Sequence, residues 1–298
     1  NQCLDLLREG PAVHWTPAAV PSMAGPIARL LPSVSNGCLR LTRTAAQIRF
    51  SGVVSSLSLE QAPAGVRLVA PQFRGKERLP MTPVADDALL LRLESPAADQ
   101  LLRRFLTNES IQQSLESNFG LPSSTLTTLL KAPLQIRLTP VSRGPFQAVL
   151  QMNLRLAMPR ALLASTLNRV GKALEERGLV RQVVDVINPD GRSASEAVVW
   201  SRADGPPLGG WIVAPSDDSL QRLALSLGGS PLPSDPSSTD AGTWLSMTML
   251  PRELVRRELM ADSWSETIQQ AVSLKLQLQP LFKNRADWQW LEGQLAEP

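Results

Sequence analysis

Alternation of apolar and polar residues recurs along the whole chain, broken by stretches whose apolar positions return every three to four residues. The alternating runs predict strands over 39–44, 46–59, 65–69, 88–94, 134–141, 146–157, 180–187, 194–202, 210–214, 243–250, 272–281 and 286–295. Most place apolar residues on one face and polar residues on the other, as in Leu134-Gln135-Ile136-Arg137-Leu138. A strand patterned this way has one buried and one wet face, which points to antiparallel rather than parallel sheet.

The 3.6-residue stretches have recognisable ends and predict helices over 97–106, 109–119, 160–177, 217–227 and 252–260. Pro96, Pro159 and Pro251 stand at first helical positions, while Asn108 and Ser216 are candidate N-caps. Gly120, Gly178 and Gly228-Gly229 stand at the stops, and Asp217-Asp218 would complement the helix dipole. Turn residues Asn188-Pro189-Asp190-Gly191 and Ser142-Arg143-Gly144-Pro145 join strand runs as hairpins, and 71–83 and 230–242 read as long loops.

Strand, helix, strand, hairpin, strand is an order that repeats, and the first and last copies look most alike. His14-Trp15 leads through Ile27–Leu31 to 39–57, much as Trp244-Leu245 leads through Leu254–Leu259 to 274–291. The predicted fold class is therefore α+β: largely antiparallel sheet with helices on one face, built from repeated β-α-β-β units. Its expected divisions are an N-terminal unit over 1–83, a central repeated region over 84–242 and a C-terminal unit over 243–298.

Three stretches carry a family resemblance: Ala85-Asp86-Asp87-Ala88-Leu89-Leu90-Leu91; Phe119-Gly120-Leu121 followed by Leu129-Leu130-Lys131-Ala132-Pro133; and Gly209-Gly210-Trp211-Ile212-Val213-Ala214-Pro215-Ser216. Together they resemble an exported bacterial family, common in cyanobacteria, catalogued as the domain of unknown function DUF3352, over about residues 84–260. The resemblance implies export to the periplasm, thylakoid lumen or cell envelope, and carries over no active-site residue. The additional segment 1–83 departs from the usual start of that family.

Composition narrows the picture further. With 298 residues, 43% of them apolar, the chain can bury a substantial core and is not a disordered polymer. Its apolar runs are far shorter than the roughly 20 residues of a membrane-spanning helix. Residues 1–10 mix charges with apolar positions, so any leader or membrane anchor would precede residue 1. Cys3 and Cys38 are the two cysteines, a candidate disulfide suited to an oxidising compartment; two unpaired thiols are the plainer alternative.

Catalytic chemistry finds little purchase. A nucleophile triad needs a histidine, and the one present, His14, sits beside Trp15 in a strand-like segment. One histidine and two cysteines do not make a typical zinc ligand set, and phosphate-cradling glycine loops are missing, so no cofactor is expected. Carboxylate pairs are available at Asp86-Asp87, Asp217-Asp218, Glu175-Glu176 and Asp185/Asp190, each with a plainer role in a cap, turn or helix end. The formal charge of +3 is spread along the chain and no nucleic-acid module is present, so the expected partner is another protein.

Trp288 and Trp290 share one strand face; large aromatics are mostly core, and if the pair is exposed it would form a contact patch, with Arg256-Arg257, otherwise a solvated helix face, as a further candidate contact. The leading expectation is a non-enzymatic envelope protein that binds or scaffolds another protein. A carboxylate-dependent hydrolase and an arginine-based anion-binding module are the alternatives.

Overall fold

Strands dominate. The computed structural model describes residues 10–16, 36–55, 87–93, 109–119, 132–142, 146–187, 194–215, 220–232, 245–260, 264–282 and 285–298, together with 121, 125, 128 and 129. In chain order the elements are β1 (Ala12–Trp15), β2 (Asn36–Arg43), β3 (Gln47–Ser55), β4 (Leu89–Leu93), α1 (Glu109–Phe119), β5 (Leu134–Pro140), β6 (Ala148–Leu156), α2 (Arg160–Glu175), β7 (Val180–Ile187), β8 (Ala194–Ser201), β9 (Pro207–Pro215), β10 (Gln221–Leu227), β11 (Leu245–Met249), α3 (Pro251–Arg256), α4 (Glu266–Gln269), β12 (Ser273–Phe282) and β13 (Arg285–Ala296).

This corrects the predicted fold class: the chain is mainly β and antiparallel, not an α+β array with helices laid along one sheet face. Two local outcomes account for much of the difference. Residues 221–227, expected as the end of a helix, form β10, because Leu223, Leu225 and Leu227 share one face while Ala224 and Ser226 bury on the other. The expected helix at 252–260 shrinks to α3, since Glu258 takes a left-handed backbone conformation at φ 57° and ends it. The strand expected at 65–69 and the helix at 97–106 lie outside the described residues.

The chain divides into two compact units, Asn1–Leu91 with Thr239–Pro298, and Arg92–Ser238. The first and last segments of the sequence thus fold together, and the boundary falls inside β4.

In the first unit the strand order is β1-β2-β3-β13-β12-β11, all antiparallel. The unbroken β3–β13 register, from Ser55↔Trp288 to Gln47↔Ala296, joins the two sequence-distant segments. On one face Met247, Met249, Leu274, Leu278 and Leu295 are buried. On the other lie Trp288, Trp290, Val53 and Cys38.

The order in the second unit is β5-β6-β10-β9-β8-β7, again antiparallel. Helix α2 packs one face: it buries Leu163, Thr166, Leu167 and Gly171, and Gly171 lies against Trp200 and Trp211 of the sheet. The fit is close there, since a Cβ on Gly171 would stand 3.2 Å from the Trp200 ring and the indole would have to give by a few tenths of an ångström. The two indoles lie 5.6 Å apart between centroids, tilted by 45°. Ala197, Val199, Ile212 and Ala224 form an apolar cluster on the opposite face, with Val186 packed against it.

Candidate functional site

The edge of the second unit's sheet offers the clearest exposed apolar surface among the described residues. Strand β7 ends the strand order and pairs with β8 along its whole length, from Val180↔Ser201 to Ile187↔Ala194, without a register shift. Its sequence, VRQVVDVI, contains no Pro or Lys, residues with which edge strands commonly block further pairing, and its charges are limited to Arg181 and Asp185. Val180, Val183 and Val184 are 44%, 56% and 45% exposed. β-Branched residues hold this segment extended, because Val and Ile pack well on a pleated surface.

Register gives each β7 side chain its face. Arg181, Val183 and Asp185 share the α2 side of the sheet, where Arg181 is opposite Trp200, Val183 opposite Val198, and Asp185 opposite Glu196. Val180, Gln182, Val184 and Val186 share the other side, continuous with the Ala197–Val199–Ile212–Ala224 cluster. Asp185 and Glu196 are both exposed, so two like charges face each other across the last pair of strands, an arrangement that is locally unfavourable.

Further into the same sheet, a buried amide row holds down the segment that follows β10. Gln151 donates through Nε2 to the Leu232 carbonyl at 2.8 Å and to Asn153 Oδ1 at 3.2 Å, and Asn153 donates to Gln135 Oε1 at 3.2 Å. Ser226 Oγ donates to the Gly229 carbonyl at 2.7 Å, and Pro231 is buried against Gly210. The network orders backbone that would otherwise be buried without partners. On the same face Arg155 stands directly opposite Arg222.

The candidate contact residues named from the sequence do not make an exposed patch. Trp288 is 0% and Trp290 8% exposed, because the even positions of β13 turn toward Ser55, Val53 and Cys38. Of the two readings open for this pair, core and contact patch, the structure therefore takes the first: these rings fill the core. Arg256 pairs with Glu253 one helical turn earlier on α3, and Arg257 forms the end of that helix. Cys38 is disulfide-bonded, and the other cysteine, Cys3, lies outside the described residues.

The carboxylate candidates are scattered. Asp87 is buried, Glu175 and Glu176 are exposed at the end of α2, and Asp86, Asp190, Asp217 and Asp218 lie outside the described residues. His14 is exposed on β1, opposite Cys38. No group of three or more His, Cys, Asp and Glu side chains that could hold a metal ion occurs among the described residues. No described helix is long and apolar enough to cross a membrane.

Sequence reasoning placed β7 correctly but missed its position at the sheet edge and the Asp185–Glu196 pairing. Edge position is a property of strand order, and the only local trace of it is the run of valines interrupted by two opposite charges.

No protein-family model, no curated protein and no solved structure matches the chain.

Proposed function

We propose that this chain is a non-enzymatic, extracytoplasmic protein-binding or assembly module that works by strand addition at β7. The observation that carries the reading is the edge itself: eight unbulged residues with exposed valines and a row of backbone groups that a further strand would pair. In this mode backbone hydrogen bonds supply affinity and alternate side chains supply selectivity. The Cys38 disulfide supports placement in an oxidising compartment.

A photo-crosslinking residue at Val183, compared with one at the exposed Val272 in the first unit, tests the reading in native envelope. Protein adducts from position 183 and not 272 are expected. Equal or absent adducts at 183 would remove the support for β7 as a docking edge.

A second reading, anion binding, is favoured by the register of β6 and β10, which sets Arg155 and Arg222 directly opposite each other on one face. Titration with sulfate and with an acidic polysaccharide, wild type against Arg222→Gln, separates it: a lost binding isotherm in the variant supports it and unchanged heats dismiss it.

A further inference from the structure

Two features of β7 point to a particular occupant: the charge order along the strand, and the like-charged pair of Asp185 and Glu196 opposite each other beside it. We infer that the strand added to β7 is β7 of a second copy of this chain, paired antiparallel about a two-fold axis through Val183. This deepens the strand-addition reading and rests on it.

The argument is one of parity and charge. Successive side chains alternate between the two faces of a strand, and directly opposed residues in an antiparallel pair share a face. For two identical sheets to join with their helix-bearing faces on the same side, each residue must therefore meet a partner residue of the same parity. Three central registers satisfy this, with the axis at Gln182, Val183 or Val184.

With the axis at Gln182, Arg181 meets Val183 and Asp185 meets the residue at 179; with it at Val184, Arg181 meets Ile187 and Asp185 meets Val183. Only the axis at Val183 sets Arg181 of each copy opposite Asp185 of the other. It also pairs Val183 with itself, and Val180 with Val186.

In that register Asp185, which within its own sheet faces Glu196, has a guanidinium on its other flank, twice over by symmetry. The 56% exposed Val183 gains an apolar neighbour at the centre, and the six-stranded order of the second unit becomes continuous across the axis. The interface is isologous and closes at two copies, because each β7 has one open edge. Continuous pairing also removes the exposed edge that would otherwise invite indiscriminate strand association.

The test is the oligomeric state of the full chain by sedimentation equilibrium across a micromolar series. Wild type is expected to dimerise. Arg181→Asp alone and Asp185→Arg alone should each weaken dimerisation by about a hundredfold, since both replace two opposed charge pairs with like ones. An equimolar mixture of the two variants should dimerise again, because every cross-strand pair is then of opposite sign.

Far-ultraviolet circular dichroism of each variant reports folding separately. Val183→Cys should also form a symmetric intermolecular disulfide on mild oxidation. A monomeric wild type, single variants that dimerise as tightly as wild type, or a mixture that stays monomeric would each overturn self-pairing. Crosslinking of Val183 to a different protein would overturn it too while upholding β7 as a docking edge, so the two readings fail separately.

Discussion

The indole of Trp15 covers Gly37, the residue directly opposite it across the β1–β2 ladder, and occupies the space that a Cβ on Gly37 would need. An aromatic ring laid over a cross-strand glycine protects a weak point in the sheet and fastens the short strand β1 to β2. The clash is with a ring that is itself 7% exposed, so it has little room to move.

Gly37→Ala is therefore expected to lower stability by about 1–3 kcal/mol through overpacking, read from urea unfolding. Trp15→Ala should approach the same penalty from the other side, and the double variant should cost less than the sum, because each change removes the reason for the other's cost.

Trp288 is fully buried between β3 and β12, opposite Ser55, and its indole Nε1 has no hydrogen-bond partner among the described residues. Trp288→Ala should cost about 3–5 kcal/mol, whereas Trp288→Phe retains much of the packing while removing an N–H that burial penalises. Thermal unfolding of the two variants decides: a Phe variant as unstable as the Ala variant would show that the N–H is satisfied.

The Gln151 amide ties the chain after β10 to the sheet through the Leu232 carbonyl. Gln151→Leu should destabilise by about 1–3 kcal/mol, because it leaves that carbonyl and the Asn153 oxygen without this donor. Amide hydrogen exchange should quicken locally at 229–232 while the β8–β9 amides keep their protection; a uniform change across the unit would contradict a local clamp.

Cys38 is buried at 1% and bonded in a disulfide. Cys3 is the only other cysteine in the sequence; a bridge to it would close a loop of about 35 residues, and Cys38→Ser is then expected to cost about 4 kcal/mol in the chain-entropy account. Reductant should lower the melting temperature of wild type and leave that of Cys38→Ser unchanged. Non-reducing peptide mapping should return a Cys3–Cys38 peptide.

Much of the strand content could be read from alternation alone. The expected run 180–187 coincides with β7, and 134–141 and 194–202 differ from β5 and β8 by one residue at one end. Helix α2 was equally legible, since Pro159 opens it and its buried positions Leu163, Thr166, Leu167 and Gly171 follow helical spacing. The failure at 217–227 is instructive. Ser216 with Asp217-Asp218 reads as a helix start, and Leu220, Leu223 and Leu227 suit a helical stripe, yet 223, 225 and 227 suit a strand equally well. The tie was broken by β6 and β9, which offer hydrogen-bonding edges on both sides of β10. For the candidate site, the sequence held the valines and the two charges but not their meaning.

What the amino-acid order decided by itself is local: where the chain is extended, where it turns, which residues share a face, and that two cysteines are available to bond. What only the tertiary structure decided is adjacency. Residues 47–55 lie beside 288–296, β7 falls at the end of a strand order, Asp185 meets Glu196, and Trp288 is core rather than contact surface. The reason is that side-chain periodicity is set within one strand, whereas a strand's neighbour is chosen by pairing between segments far apart in sequence, on which periodicity is silent.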